Sequence, residues 1–186
     1  MSDVLPITVI VGSLRSASVN RAIARAAIAL APRDLSLEIH SVADLPLYNG
    51  DVEERAVPSS VVELHQVIGA SAGVLFFTPE YNGSLPAVLK NVIDWLSRPP
   101  QAMVSKPVAA VATTPGGRAG AGVLGHLEQI FDHMREDYRR FEFFGIGSYF
   151  DKLDESGELA DPATRAELAE WLSRFAEFVT AVRCAH

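Results

Sequence analysis

The chain alternates short apolar runs with helical segments from one end to the other, and this alternation constrains its fold most strongly. Runs rich in β-branched residues and apolar on both faces are typical of buried parallel strands. Five segments are predicted as strands: Leu5–Val11, Leu35–His40, Gly73–Thr78, Pro107–Thr113 and Tyr138–Phe144. Five segments are predicted as helices: Asn20–Ala31, Val57–Ala70, Ser84–Trp95, Ala119–Met134 and Pro162–Val182. This order predicts an α/β fold, a parallel sheet with helices on both faces.

Two of these helices carry recognisable start signals. Ser84 is predicted to cap the third helix, with Pro86 in its first turn, and Asp161 is predicted to cap the last helix. In both cases a side-chain oxygen would accept a hydrogen bond from a free N–H of the first turn.

Size and charge exclude several classes of protein. With 186 residues the chain is long enough for one well-buried core and short for two, so residues 1–186 are expected to form one domain. The 23 acidic against 16 basic residues give a net charge of −7, which argues against a nucleic-acid surface. No apolar run reaches the length of a membrane span and the N-terminus lacks a signal-peptide pattern, so a cytoplasmic protein without membrane contact is expected.

The cysteine and histidine content predicts neither a disulfide nor a metal site. Cys184 is the one cysteine, so no intramolecular disulfide can form. His126 and His133 would lie two turns apart on a helix, about 10 Å by helical rise. That separation is too large for one metal ion without ligands from elsewhere.

Three loops of unusual composition all follow strands: Gly12–Asn20 (the first loop), Pro79–Ser84 (the second loop) and Thr113–Gly120 (the third loop). In a doubly wound sheet, ligands bind beyond the carboxyl ends of the strands, where the strand order reverses. With strand order 2-1-3-4-5, the strands that precede these loops are neighbours. The loops are therefore expected to line one crevice.

The composition of the first loop suits a phosphate. It supplies hydroxyls, an amide and the guanidinium of Arg15 directly before a helix, whose N-terminus presents free N–H groups to an anion. The loop lacks the glycine and lysine pattern of nucleotide triphosphatases, so a monophosphate fits better. A capped, solvated turn is the alternative interpretation.

The second and third loops could border a flat ring. The second loop offers Tyr81 and backbone N–H groups on a path restricted by proline and glycine, and the third loop offers glycines that allow close backbone approach. A polar loop with Tyr81 packed on a neighbour and a plain flexible loop are the alternatives. Gly120, Gly122 and Gly125 spell G-x-G-x-x-G, but six residues separate this run from the fourth strand, which disfavours a dinucleotide fingerprint.

Two motifs resemble one known family. Gly12–Asn20 reads Gly-Ser-Leu-Arg-x-x-Ser-x-Asn, and Pro79–Pro86 reads Pro-Glu-Tyr-Asn-Gly-Ser-Leu-Pro, followed by Leu89–Arg98. Both are similar to signatures of the NADPH-dependent FMN reductase family, which includes chromate and quinone reductases and azoreductase-like enzymes. The resemblance covers about Ile7–Phe178. It implies a flavodoxin-like three-layer fold, non-covalent FMN, NADPH or NADH as hydride donor, and a homodimer or homotetramer.

The resemblance also implies cofactor-binding residues. It places the FMN phosphate at the first loop, and the ribityl chain and isoalloxazine ring at the second and third loops. The implied residues are Ser13, Arg15, Ser18, Val19, Asn20, Pro79, Glu80, Tyr81, Asn82, Thr113, Pro115 and Gly116. The stretch Arg139–Tyr149 is rich in aromatic residues and matches the family loosely.

The implied reaction is hydride transfer from NAD(P)H through FMN to a small acceptor such as a quinone, chromate, an azo compound or a flavin. Because FMN carries this chemistry, no catalytic side chain is expected. Three alternatives are an electron-transfer flavoprotein without NAD(P)H activity, a non-flavin binding module on the same fold, and a Rossmann dehydrogenase that uses Gly120–Gly125.

Overall fold

The computed structural model of the chain describes residues 4–134 and 139–185. Its strands are β1 (Leu5–Val11), β2 (Leu35–His40), β3 (Gly73–Thr78), β4 (Pro107–Thr113), β5 (Arg139–Arg140) and β6 (Phe144–Ile146). Its helices are α1 (Val19–Leu30), α2 (Gly50–Arg55), α3 (Ser59–Ala70), α4 (Ala87–Leu96), α5 (Ala121–Met134) and α6 (Pro162–Cys184). The first four strands have the predicted bounds, because β1, β3 and β4 are largely apolar runs and β2 alternates between apolar and polar residues.

The sheet has the predicted order and direction. Its strands run β2-β1-β3-β4-β5, and β6 also pairs with β4. All pairs are parallel, with Val9 of β1 opposite Ile39 of β2 and Leu75 of β3. Strand order therefore reverses between β1 and β3, and a flavodoxin-like sheet is confirmed.

The predicted fifth strand, Tyr138–Phe144, is wrong in its bounds. Tyr138 lies outside the described residues, and the strand position is divided between β5 and β6. Between them the Phe141 ring packs against α6, 5.6 Å from the Phe175 ring, and the Glu142 carbonyl accepts a hydrogen bond from Trp171 Nε1. The Phe141 N–H still donates to the Val108 carbonyl, and the pairing with β4 resumes one residue out of register, with Phe144 opposite Val111.

Side chains of the sheet point alternately to two apolar layers. On one face, Val9, Phe77 and Val111 pack with α1 and α6. On the other face, Phe76 and Ala110 pack with α3, α4 and α5. This two-sided burial explains why β3 and β4 are buried at every position and are apolar except for the threonine that ends each strand.

The two predicted helix caps have different outcomes. Ser84 does not cap α4, which begins after Pro86 without a side-chain cap. The Ser84 hydroxyl is hydrogen bonded to His126 Nδ1 instead, at 2.8 Å. At α6 the prediction is confirmed, because Asp161 accepts a hydrogen bond from the Thr164 N–H at 2.7 Å.

Helix α2 was not predicted. It has six residues, none of them buried, so it lacks the apolar periodicity that marks a longer helix. Asn49 caps it by accepting from the Asp51 N–H, and Glu53 pairs with Arg98 after α4. Among the helices of the described residues, none combines the length and apolarity needed to cross a bilayer.

Candidate functional site

The three loops meet at the carboxyl edge of the sheet, where they line a depression of about 210 Å³. Its lining residues are Ser13, Arg15, Ser18, Val19, Asn20, Pro79, Glu80, Tyr81, Thr113, Pro115 and Tyr149. All of the site residues predicted from the sequence are among them except Asn82 and Gly116. The fold thus gathers residues that are up to about 100 positions apart in the chain, since adjacent parallel strands end at the same edge.

The first loop presents polar groups in front of α1. Ser18 accepts a hydrogen bond from the Arg21 N–H at 3.3 Å, which sets the start of the helix at Val19. Ser13 and Asn20 are buried, with 5% and 4% of their surface exposed. Because the first N–H groups of a helix have no partner within the helix, this edge of the depression is suited to an anion.

Two buried polar atoms in the depression are unsatisfied. Asn20 Oδ1 and Thr113 Oγ1 have no hydrogen-bond partner among residues 4–134 and 139–185. A buried polar atom without a partner costs roughly 1–3 kcal/mol. The two atoms therefore favour a ligand that hydrogen bonds to both ends of the depression.

Arg15 is the exposed cation of the depression. No carboxylate in the part of the chain that the structure describes forms an ion pair with it. Arginine presents a planar fork of N–H donors that matches the oxygens of a phosphate. Its guanidinium is thus available for an anionic ligand.

The second loop is fastened to α5 by side chains. Glu80 Oε2 accepts a hydrogen bond from the Val123 N–H at 3.0 Å, in the first turn of that helix. Ser84 bonds to His126 on the same helix, and Tyr81 and Ser84 pair through their backbones. Between them Asn82 is exposed, with φ of 52°, in the tight turn. This turn keeps Asn82 out of the lining of the depression.

The third loop is fastened to the segment after β6. The Gly116 carbonyl accepts hydrogen bonds from the Ser148 N–H and the Thr114 hydroxyl, both at 3.2 Å. Gly116 therefore supports the loop from behind, and it does not line the depression. Thr113 and Pro115 do line it.

Two glycines of the run Gly120, Gly122 and Gly125 allow close packing at the start of α5. Gly120 has φ of +74°, and a Cβ there would lie 2.4 Å from the Ala112 Cβ. A Cβ on Gly122 would lie 2.6 Å from the Gly83 carbonyl oxygen. Because Ala119 and Gly120 are both left-handed, α5 begins at Ala121 rather than at the predicted Ala119.

Tyr149 was missed in the sequence. It lies in a 3-10 turn, Tyr149–Lys152, soon after β6. The predicted fifth strand ended at Phe144, so the next residues were not treated as a loop at the carboxyl edge. Had the strand been extended to Ile146, the rule that ligands bind beyond strand ends would have included this turn.

The depression combines three kinds of chemical group. It offers an anion subsite at α1, buried polar atoms suited to a hydroxylated chain, and the Tyr81 and Tyr149 rings beside backbone N–H groups for a flat ring. In the described parts of the chain, no group of three or more His, Cys, Asp or Glu side chains is arranged to hold a metal ion.

Comparison of the sequence with known proteins identifies a family and several relatives. The family model of NADPH-dependent FMN reductases matches residues 5–140. A quinone reductase of Pseudomonas putida is 41% identical over 181 residues, covering 96% of this chain and 97% of its own. An NAD(P)H-dependent FMN reductase of Pseudomonas aeruginosa is 36% identical over 184 residues, covering 98% of this chain and 100% of its own.

A solved structure agrees as well. The flavoenzyme NAD(P)H:(acceptor) oxidoreductase FerB of Paracoccus denitrificans superposes with a TM-score of 0.84 and 30% identity, over 96% of this chain and 98% of its own. The match therefore includes the loops that form the depression as well as the sheet. By sequence and fold, this chain belongs to the NADPH-dependent FMN reductase family.

Proposed function

We propose that the chain is an NAD(P)H-dependent, FMN-containing oxidoreductase that reduces quinones or similar small acceptors. The observation that carries the proposal is the depression at the α1 N-terminus, where the buried Asn20 and Thr113 oxygens have no hydrogen-bond partner within the described part of the chain. FMN combines a phosphate, a hydroxylated chain and a flat ring, and the depression offers a complement to each. In this proposal residues 1–186 form one FMN-binding domain.

The phosphate of FMN would bind at the first loop. Ser13 and Ser18 provide hydroxyls, Arg15 provides a charged fork, and Val19 provides a backbone N–H in the first turn of α1. The Asn20 amide can offer its oxygen to a ribityl hydroxyl or, turned over, its NH₂ to the phosphate. The net charge of −7 does not oppose this binding, because the site is made of local N–H groups.

The ring would lie between the second and third loops. Pro79, Tyr81 and Pro115 supply apolar surface, and the Thr113 hydroxyl supplies a buried hydrogen-bonding group. Glu80 acts as a positioning residue, since its carboxylate fastens the second loop to α5 through the Val123 N–H. The assignment of Asn82 and Gly116 to the cofactor site stays a prediction from the family resemblance. Since neither residue lines the depression, we expect them to contact the ring through backbone atoms.

Bound by these residues, the cofactor would supply the redox chemistry that carries a hydride from NAD(P)H, as two electrons, to the acceptor. The residues of this chain bind and orient the cofactor and leave one side of the depression open to solvent for the two substrates in turn. No side chain is assigned a proton-transfer role, so the rate is expected to depend on positioning. Two relatives named for quinone and FMN reduction support this reaction class.

Steady-state kinetics test the proposed function. With added FMN, the protein should oxidise NADPH or NADH in the presence of menadione, and double-reciprocal plots at several menadione concentrations should be parallel. Parallel lines are expected because the two substrates use the same open side in turn. FMN binding without any NAD(P)H oxidation would favour an electron-transfer flavoprotein, and failure to bind FMN would favour a non-flavin module.

A homodimer is the second part of the proposal. A groove of about 720 Å³ between α4 and α5 is lined by the apolar side chains of Leu85, Ile93, Ile130 and Met134, among others. The ion pair of Lys90 and Asp94 puts both charges along the groove, which suits a two-fold contact in which each charge meets its opposite. Light scattering on the purified protein should give twice the monomer mass, or four times that mass for a tetramer.

We also propose a cytoplasmic location, and cell fractionation should recover the protein in the cytoplasmic fraction.

A further inference from the structure

Two adjacent aromatic side chains follow β6, and the first of them lines the depression. Tyr149 lines the depression, and the Phe150 ring lies 4.4 Å from the Tyr149 ring, tilted by 42°. The turn that carries them is fixed to the third loop, because the Ser148 and Tyr149 N–H groups donate to the carbonyls of Gly116 and Thr114. The pair is therefore held in a defined place beside the ring subsite.

Packing within the described residues does not account for Phe150. It is 69% exposed and belongs to neither of the two apolar layers that the described residues form. Two large apolar groups of the site loops are also exposed: Tyr81, which lines the depression, by 47%, and Leu14 of the first loop by 52%. A cluster of exposed aromatic and aliphatic groups around a cavity is typical of a binding site for an apolar molecule.

We propose that Tyr149 and Phe150 form a subsite that binds the second ring of a planar two-ring quinone while its reacting ring lies over the flavin. The inference rests on the proposed function, in which NAD(P)H, a proton and the quinone give NAD(P)⁺ and the hydroquinone. Rings at centroid distances of about 4.5–7 Å attract one another. The subsite thus selects two-ring quinones over one-ring quinones and inorganic oxidants.

The test compares acceptors in the variant Phe150→Ala. The ratio of kcat/KM for menadione to kcat/KM for ferricyanide should fall about three- to tenfold, through a higher KM for menadione. The variant Leu47→Ala is the matched control, because Leu47 is 76% exposed on a different loop. It should keep the acceptor ratio of the unmodified protein.

A binding measurement separates this inference from the proposed function. In the FMN-loaded protein, 2-naphthol, which has two rings and is not a quinone, should perturb the flavin absorption bands, and Phe150→Ala should weaken that binding about three- to tenfold. If menadione is not reduced by the unmodified protein, the proposed function fails and naphthol binding alone decides the subsite. An unchanged acceptor ratio together with unchanged naphthol binding in Phe150→Ala would overturn the subsite. It would also be overturned if the main effect of Phe150→Ala were a lower oligomer mass, since Phe150 would then belong to a subunit contact.

Discussion

Replacing Gly122 with alanine is a direct test of how the second loop is held. The added methyl group would lie 2.6 Å from the Gly83 carbonyl oxygen and 2.9 Å from Glu80 Oε2, closer than a real Cβ approaches oxygen. The second loop must therefore move by several tenths of an ångström, away from its hydrogen bond with the Val123 N–H. Since that loop forms one wall of the proposed FMN site, the variant should bind FMN more weakly.

The magnitude follows from two opposing effects. Alanine is favoured over glycine in a helix by up to about 1 kcal/mol. Overpacking against a fixed backbone costs about 1–3 kcal/mol. The net expectation for Gly122→Ala is that the free energy of unfolding falls by about 1 kcal/mol, which lowers Tm by roughly 2–4 °C in a protein of this size.

The same helix provides the matched control, Gly125→Ala. A Cβ at Gly125 would meet nothing within 4 Å, so only the gain in helix propensity applies. This variant should raise Tm by roughly 2–4 °C and keep the FMN dissociation constant within about twofold of the unmodified protein, the change that about 0.4 kcal/mol would cause. Thermal unfolding and FMN fluorescence titration measure both quantities.

If the contact between α5 and the second loop holds the site, the two variants must differ in both Tm and FMN affinity. Gly122→Ala should raise the FMN dissociation constant about tenfold or more, since small displacements of positioning groups have large effects. If Gly122→Ala and Gly125→Ala melt at the same temperature and bind FMN equally, the contact between α5 and the second loop does not hold the site.

Three further predictions concern other parts of the molecule. Arg15→Ala should raise the FMN dissociation constant roughly ten- to hundredfold, because a charge-assisted phosphate contact contributes about 1.5–3 kcal/mol; unchanged FMN fluorescence titrations would refute that contact. Burial lowers the pKa of His65, whose Nε2 lies 3.2 Å from the Trp95 carbonyl, so the unfolded chain binds the proton more readily and stability should fall as pH drops below about 6.5. His65→Gln should therefore show a smaller drop in Tm between pH 7.5 and 5.5 than the unmodified protein, and an equal drop would assign the effect to other groups. Asp161→Ala removes the cap that accepts from the Thr164 N–H and should cost about 1 kcal/mol in urea unfolding, whereas no shift in midpoint would mean that the cap is unimportant.

Much of the fold could be predicted because local signals and global topology agree. Strands β1, β3 and β4 are mostly apolar runs buried on both faces, β2 alternates between buried and exposed residues, and both patterns are visible in the sequence. The sheet order was taken from the flavodoxin-like fold that the family resemblance implies, and the structure has that order. The bounds of the fifth strand position could not be predicted, because its register against β4 shifts by one residue between Arg140 and Phe144, beside the Glu142 carbonyl that Trp171 contacts from far along the chain.

The candidate site was predicted in the same way, and its omissions have physical causes. Arg15 and Asn20 were identified because a phosphate site needs their chemistry directly before a helix. Tyr149 was missed because its position depends on where the fifth strand ends. The role of Ser84 changed because His126, distant in sequence, offers its hydroxyl a partner in place of the free N–H groups of α4.

The absorption spectrum of the purified protein tests the central claim most directly. The measurement is made with and without added FMN, before and after anaerobic addition of NADPH. The account predicts flavin bands that shift when FMN binds to the depression and bleach when NADPH is added. A protein that leaves the spectrum of added FMN unchanged under every condition would contradict the account, and the first loop would then need a different anionic ligand.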